Sequence, residues 1–377
     1  KRVEFARHLY TWLQNPPPEP EGEKIIVEHT NINPNKAAHI GHLRNAVLGD
    51  TFVRFLRMAG RRVEVQNYID NTGVQVADVI VGFRYLREMS VEEVKSIEDP
   101  FDYYCWDLYA EVSNWYKQDE SHLHYREQIL KEMEDAKEPT NQLTEYISNR
   151  IVLAHLRTML RIGVLYEVLP RESEILHLEF WEDAFEQLKN KGAILYRKEG
   201  PHKGCWVLRL SEENGRPAEE KIIVRSNGTV TYVGKDIAYQ LWKFGLLGKN
   251  FHYQPCWRYE NGQIVPHDGL TPDNHTIWLT STKPSLHTEP EFGQGTRVYN
   301  VIDVRQSYLQ QVVTEGLRRL SFTDQADQSI HFSYEMVALS PKCCSELGLE
   351  LSEEESKKPF VEVSGRKGLG VKADDLI

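Results

Sequence analysis

No stretch of this chain approaches the ~18 consecutive apolar residues that a membrane-spanning helix needs, so no membrane role is expected. Cysteine is sparse, with only Cys105, Cys205, Cys256, Cys343 and Cys344. Five thiols without regular spacing argue against a disulfide scaffold and fit a reducing, cytoplasmic setting. An excess of positive charge is also missing. The formal net charge of −11 speaks against indiscriminate attraction to nucleic acid, although a local basic face remains possible within an acidic protein. No internal repeat is read, and no secretory signal is expected. Apolar material is present in quantity, 40% of 377 residues, enough for a core in two domains or one large domain with insertions.

The pattern along the chain predicts an α/β protein. Residues 1–14 read as a helix, with Val3, Leu9 and Leu13 on its apolar face, and the run from Pro16 to Pro20 as a stiff linker. A strand over about 24–29 precedes a helix over about 40–59, in which Leu43, Val47, Phe52, Phe55 and Leu56 recur at helical spacing. Gly60 ends that helix, and Val63 to Tyr68 alternates as a second strand. Strand, helix and strand at this spacing imply a right-handed parallel crossover, half of a doubly wound sheet. Residues 75–190 read as mostly helical, and 193–232 as a β-rich insertion returning to the sheet. Residues 245–297 read as an irregular surface insertion. A strand at 298–302, a helix at 306–320 and a strand at 330–339 follow, then an acidic, exposed stretch over 340–360.

The tetrapeptide His39-Ile40-Gly41-His42 opens the long helix directly after the first strand and its turn. Backbone N–H groups at a helix start are unpaired, and the helix dipole favours an anion there. Two imidazoles can add donors to phosphate oxygens, and Gly41 removes a side chain that would block a flat ring. Asn33, Pro34 and Asn35 are turn formers that place Lys36 beside the histidines.

From Glu28 through Lys36 and His39 to Asn45, this segment resembles the nucleotide-binding segment of class I aminoacyl-tRNA synthetases, and among them the arginine-specific family. The resemblance implies a Rossmann-like, doubly wound parallel sheet with large helical and β-rich insertions. It divides the chain into a remnant helix and linker (1–22), a first nucleotide-binding half (23–75) and an insertion (76–227). A second half (228–340) and a connector with a KMSKS-like loop (341–377) complete it. A small N-terminal domain and a helical anticodon-binding domain, to follow Ile377, are expected to lie outside this stretch.

The resemblance also implies a reaction. ATP, with Mg²⁺, would activate L-arginine to arginyl-adenylate, which the terminal ribose 2′-hydroxyl of tRNA(Arg) then attacks. Lys36, His39, Gly41 and His42 would bind ATP, together with Ser364 and Lys367; Arg366 and Lys367 would supply charge from the late Gly-rich loop. That loop departs from the family pattern, because Glu362 and Gly365 stand at its two lysine positions; Lys36 is the expected compensation. Glu28 and Asn33 match contacts to the α-amino and carboxylate end of the amino acid, and Tyr232, Asp236 and Gln306 match the guanidinium pocket. A carboxylate at 236 suits a guanidinium fork physically, with a helix N-cap or a surface acid as the alternative. Asp70, Asn71 and Gln75 sit where ligands bind in such folds, or serve simply as turn residues. A monomer is expected.

Other features carry less. Arg54, Arg57, Arg61 and Arg62 complement a helix C-terminus, with RNA contact the alternative. The aromatics from Tyr103 to Tyr116 read as helix packing. His202 and Cys205, with His252 and Cys256, are zinc-capable pairs at unpromising spacing, and no metal is assigned to them. Two rival functions stay open: another nucleotidyltransferase sharing the His-x-Gly-His turn, and a catalytically silent, synthetase-like binding protein.

Overall fold

In the computed structural model the described residues are 4, 21–210, 219–269, 271–349, 351–362 and 370–377. The helix read over 1–14 and the linker after it fall almost wholly outside them. So do Ser364, Arg366 and Lys367.

The central sheet takes β1 (Glu21–Glu28), β2 (Arg61–Gln66) and β3 (Val168–Leu169) from the first half of the chain. A separate three-stranded antiparallel sheet follows, made of β4 (Ile194–Tyr196), β5 (Trp206–Arg209) and β6 (Glu220–Val224). The central sheet then receives β7 (His252–Glu260), β8 (Gln263–Pro266), β9 (Thr276–Ser281), β10 (Arg297–Asp303) and β11 (Ser329–Tyr334). Its order is β11-β10-β1-β2-β3-β9-β7-β8. The pairs from β11 to β9 are parallel, and β7 joins β9 antiparallel.

The main helices are α1 (Ile40–Met58), α2 (Val74–Val81), α3 (Phe101–Gln118), α4 (Thr140–Arg161), α5 (Phe180–Asn190), α6 (Tyr232–Lys243) and α7 (Ser307–Arg319). They cover both faces of the sheet, as parallel strands require. On β1, Ile25 and Val27 face a core shared with α1 and α4, whereas Ile26 faces one built by α5, α6 and α7. The segment between β2 and β3 adds its own helical core around Phe83, Leu108 and Ile147. Among the described residues no helix is long and apolar enough to cross a membrane.

Three expectations need correction. The β-rich region after residue 193 does not return to the central sheet: β4–β6 pair only with one another. At its end, residues 229–231 add no further strand: a single bridge joins Val224 to Val230 before α6 begins. Residues 245–297 are not an irregular insertion, because they supply β7, β8 and β9 to the sheet. Their Gly, Pro and His content disguised them: Pro255 lies within β7 beside a register shift, where a missing N–H does little harm. Third, the broad apolar side read on α1 holds only in part: Leu43, Phe52 and Leu56 pack against the core, and the rest of that side does not. Val47 and Phe55 are exposed, and Asn45, Ala46, Gly49 and Val53 are buried. Close approach selects small residues there. A Cβ on Gly49 would lie 2.3 Å from Cγ of the buried His29.

The strand order reverses between β1 and β10. Chain leaving β1 builds outward through β2, β3 and β9, then crosses to β10 on the other side. A crevice at the carboxyl ends of the strands beside such a reversal is where ligands bind in open α/β sheets.

Candidate active site

The turn leaving β1 is held in a strained shape. Thr30 and Asn31 have φ of 77° and 45°, a left-handed conformation that a β-branched residue such as threonine strongly resists. Side chains hold it from two directions. Asn45 on α1 accepts from Thr30 N–H at 2.6 Å, and Asn67 after β2 accepts from Asn31 N–H at 2.9 Å. The Asn31 amide accepts from Tyr68 N–H and donates to Glu28.

This turn delivers His39 to the N-cap of α1. Gly41 N–H donates to His39 Nδ1, and His39 N–H donates to His42 Nδ1, each at 3.1 Å. The rings stack with centroids 3.6 Å apart. Each Nδ1 is an acceptor, so each ring proton is assigned to Nε2. Burial, followed by the charge of Lys36, lowers His39 to about 4; burial, followed by His39, puts His42 well below its usual value. The pair is therefore neutral, with an Nε2–H donor on each ring. Gly41 does clear space for a flat ring, but that ring is His39: a Cβ would sit 2.9 Å from its Cε1.

Cationic groups surround the pair. The ammonium of Lys36 lies 4.6 Å from the Tyr109 ring centre and 5.7 Å from that of Trp106. The Lys372 ammonium is 5.4 Å from the same indole and 4.6 Å from Tyr103. Tyr103, Trp106 and Tyr109 recur every three residues along α3, so their reading as plain helix packing misses that two lysines rest on them. Lys372 also forms a β-bridge with His39, and Val371 C=O accepts from Ile40 N–H. The segment just after the late Gly-rich loop thus meets the start of α1. Sequence reasoning overlooked Lys372, although a cation shortly after that loop was a usable signal.

Beside this region opens a cavity of about 620 Å³. Asn33, Asp70, Gln75, Tyr109 and Tyr232 contribute to its lining. Under it lies a cluster of carboxylates. Asp70 donates to Glu172; burial and the Glu172 charge raise Asp70 well above the usual carboxylate range. Burial alone would raise Glu172 too, but hydrogen bonds from Asp70 and Thr72 and the Lys235 charge outweigh it and hold Glu172 low. Lys235 ion-pairs with Glu172 and lies 5.1 Å from the Tyr232 ring centre. Asp236 is raised to about 7 by burial, then by Glu172 and Glu28. Asp70 and Asp236 are thus raised by the same two causes, burial first and the neighbouring Glu172 charge second.

The structure thus unites Asp236 and Tyr232 on the first turns of α6, and adds Asp70, Glu172 and Lys235. Glu172 was missed, because nothing in its local spacing marks it; Lys235 was available as the neighbour of Asp236. Other expectations change. Glu28 ion-pairs with the buried Lys243 at 2.6 Å and accepts from Asn31, so its carboxylate is already engaged. Lys243 also donates to Asn300 at 2.9 Å. Asp236, Tyr239 and Lys243 follow helical spacing, which could have revealed it. Asn71 is bound to Ser173 through both ends of its amide. Gln306 is exposed at the carboxyl end of β10, just before α7, and no hydrogen bond ties it to the acidic cluster among the described residues.

Arg54 pairs with Asp50 and Arg57 with Glu167, which favours a structural role for those arginines. His252 pairs with Glu289, and among the described residues no three His, Cys, Asp or Glu side chains converge as a metal site.

A largely parallel sheet with a topological reversal, a mutually capped His-x-Gly-His helix start and a polar cavity beside it make up an α/β domain of the doubly wound, ligand-binding class. Comparison with known proteins narrows this. Residues 11–245 match the family of class I tRNA synthetases (R), catalytic domain, and the chain belongs to that family. It is 32% identical over 374 residues to the arginine–tRNA ligase of Thermococcus sibiricus, covering 95% of this chain and 52% of that protein. It is also 32% identical to the enzyme of Deinococcus radiodurans, over 96% of this chain and 52% of that one. The solved arginyl-tRNA synthetase of Thermus thermophilus superposes with a TM-score of 0.74 at 28% identity, covering 98% of this chain and 54% of that chain. The chain spans about half the length of the curated relatives it matches.

Proposed function

We propose that this chain is the catalytic part of an arginine–tRNA ligase. The observation that carries the reading is the carboxylate cluster of buried Glu172 with the partly buried Asp70 and Asp236, which has one ion-paired lysine and, through Asp70, borders a cavity also lined by Asn33 and Tyr232. A guanidinium supplies what the cluster lacks, a full charge with a planar fork of donors. Tyr232 offers a ring face for stacking on that plane. Asn33, at the cavity wall nearest the β1 turn, orients the backbone end of the amino acid.

The second substrate is ATP, whose phosphates would lie over the start of α1. Negative charge gathers on the α-phosphate oxygens as the amino-acid carboxylate attacks and pyrophosphate leaves. Fixed donors aimed there lower the barrier. The Nε2–H groups of His39 and His42 are such donors, oriented by the capping bonds made through Nδ1. Their neutrality is useful: each donates without trapping the nucleotide as a permanent ion pair. Lys36 and Lys372 add full charges, held on aromatic rings. Mg²⁺ arriving with the nucleotide would neutralise part of the phosphate charge. Ser364, Arg366 and Lys367 remain candidates from the late loop. Transfer of the arginyl group to the terminal ribose of tRNA(Arg) completes the reaction.

The test is aminoacylation of tRNA with radiolabelled arginine by the full-length protein. Charging of an arginine-accepting tRNA is expected, and Asp236→Asn should abolish it. Charging with a different amino acid instead would overturn the assignment.

A further inference from the structure

The guanidinium site is not empty of cation in this fold. Lys235 lies in it. Its ammonium pairs with Glu172, the carboxylate that also accepts from Asp70 and Thr72, and faces the Tyr232 ring at 5.1 Å. These are the two kinds of partner, a carboxylate and an aromatic face, that a substrate guanidinium would need. The side chain is well buried but has somewhere to go. A second cavity, of about 410 Å³, borders it and is lined by Lys235, Thr72, Ser173 and the exposed Glu134, among others. Asp236 remains partly accessible, and no donor reaches its carboxylate among the described residues.

We propose that Lys235 is a resident cation that holds the guanidinium site in the free protein, and that an arginine side chain enters by taking Glu172 and the Tyr232 face from it. The proposal rests on the arginine reading above. Displacement makes the site selective through exchange. An incoming ammonium, as in lysine or ornithine, replaces one Lys235–Glu172 pair with an equivalent one and gains little. A guanidinium engages Glu172 and Asp236 together through separate N–H donors and gains a second carboxylate. Lys235 thereby works as an element against the wrong substrate. The displaced ammonium moves toward the second cavity, where Glu134 can receive it.

Equilibrium binding of labelled arginine and lysine to the full chain tests this, using wild type, Lys235→Met and Lys235→Arg, with thermal melting to confirm folding. Removing the resident cation should tighten arginine binding about tenfold, the size expected when a mostly closed site becomes fully open. It should also make lysine binding detectable. Lys235→Arg, a stronger partner for Glu172, should weaken arginine binding by a similar factor. Weaker arginine binding in a folded Lys235→Met would show that Lys235 only positions Glu172, and would overturn the proposal. If Lys235→Met does not fold, wild-type affinity in Lys235→Arg would overturn it equally. Failure of the wild type to bind arginine would instead defeat the functional reading on which this rests.

Discussion

Lys243 and Glu28 form an ion pair of 2.6 Å, with both side chains buried at the carboxyl end of β1. The resemblance places Glu28 against substrate, but the geometry makes it a structural acid first. Removing one partner strands the other charge in the interior. Glu28→Ala should therefore cost about 3–5 kcal/mol, as should Lys243→Met. Denaturant unfolding of both single variants and of Glu28→Met/Lys243→Met tests this. The double variant should lose less than the sum of the singles.

Arginine binding should depend on pH through Asp236. Its carboxyl titrates near 7 in the ligand-free site, and a bound guanidinium would draw that value down. Binding must then expel a proton below pH 7. Affinity should fall toward tenfold per unit as pH drops below about 7 and level off above it. Calorimetry in buffers of different ionisation enthalpy should register proton release. Asp236→Asn should remove the slope and weaken binding on the order of a hundredfold. Linkage to folding has the opposite sign: a folded value above the ordinary 3.8 stabilises in acid, and that contribution is lost as pH rises through about 7.

The histidine pair separates cap from catalysis. In His39→Asn, the amide oxygen can take over the acceptor role of Nδ1 at the helix start. It cannot reproduce the outward Nε2–H. Melting temperature should stay near wild type, while the activation rate falls about 10²–10³-fold, the cost of losing one preorganised donor. A large loss of stability with normal activity per folded molecule would reverse the assignment.

Gly49→Ala should destabilise by about 1–3 kcal/mol, through the collision of its Cβ with the His29 ring. His29 is buried and lowered to about 3 by that burial, so it has no charge to gain by moving outward at neutral pH. Circular dichroism melting checks the direction.

The strand–turn–helix carrying His39 and His42 was legible because its signals are local: turn formers, a small residue and a helical period. Asp236 and Tyr232 were legible only through resemblance, since an acid on the first turn of a helix also reads as a cap. Glu172 and Lys243 became visible only once the chain was folded. Glu172 meets Asp70 across about a hundred residues, and Lys243 meets Glu28 across about two hundred. Residues 252–281 misled for a different reason. A strand that tolerates Pro255 beside a register shift lacks the clean alternation that marks a strand in sequence.

Exchange of labelled pyrophosphate into ATP tests the central claim most directly, because it requires the histidine donors and the carboxylate cluster to act on the same pair of substrates. The full-length protein should support exchange with arginine and Mg²⁺, measured with and without tRNA(Arg), and not with lysine or citrulline. Asp236→Asn and His39→Asn should each suppress it. Absence of arginine-dependent exchange under both conditions, or equal exchange in Asp236→Asn, would contradict this account.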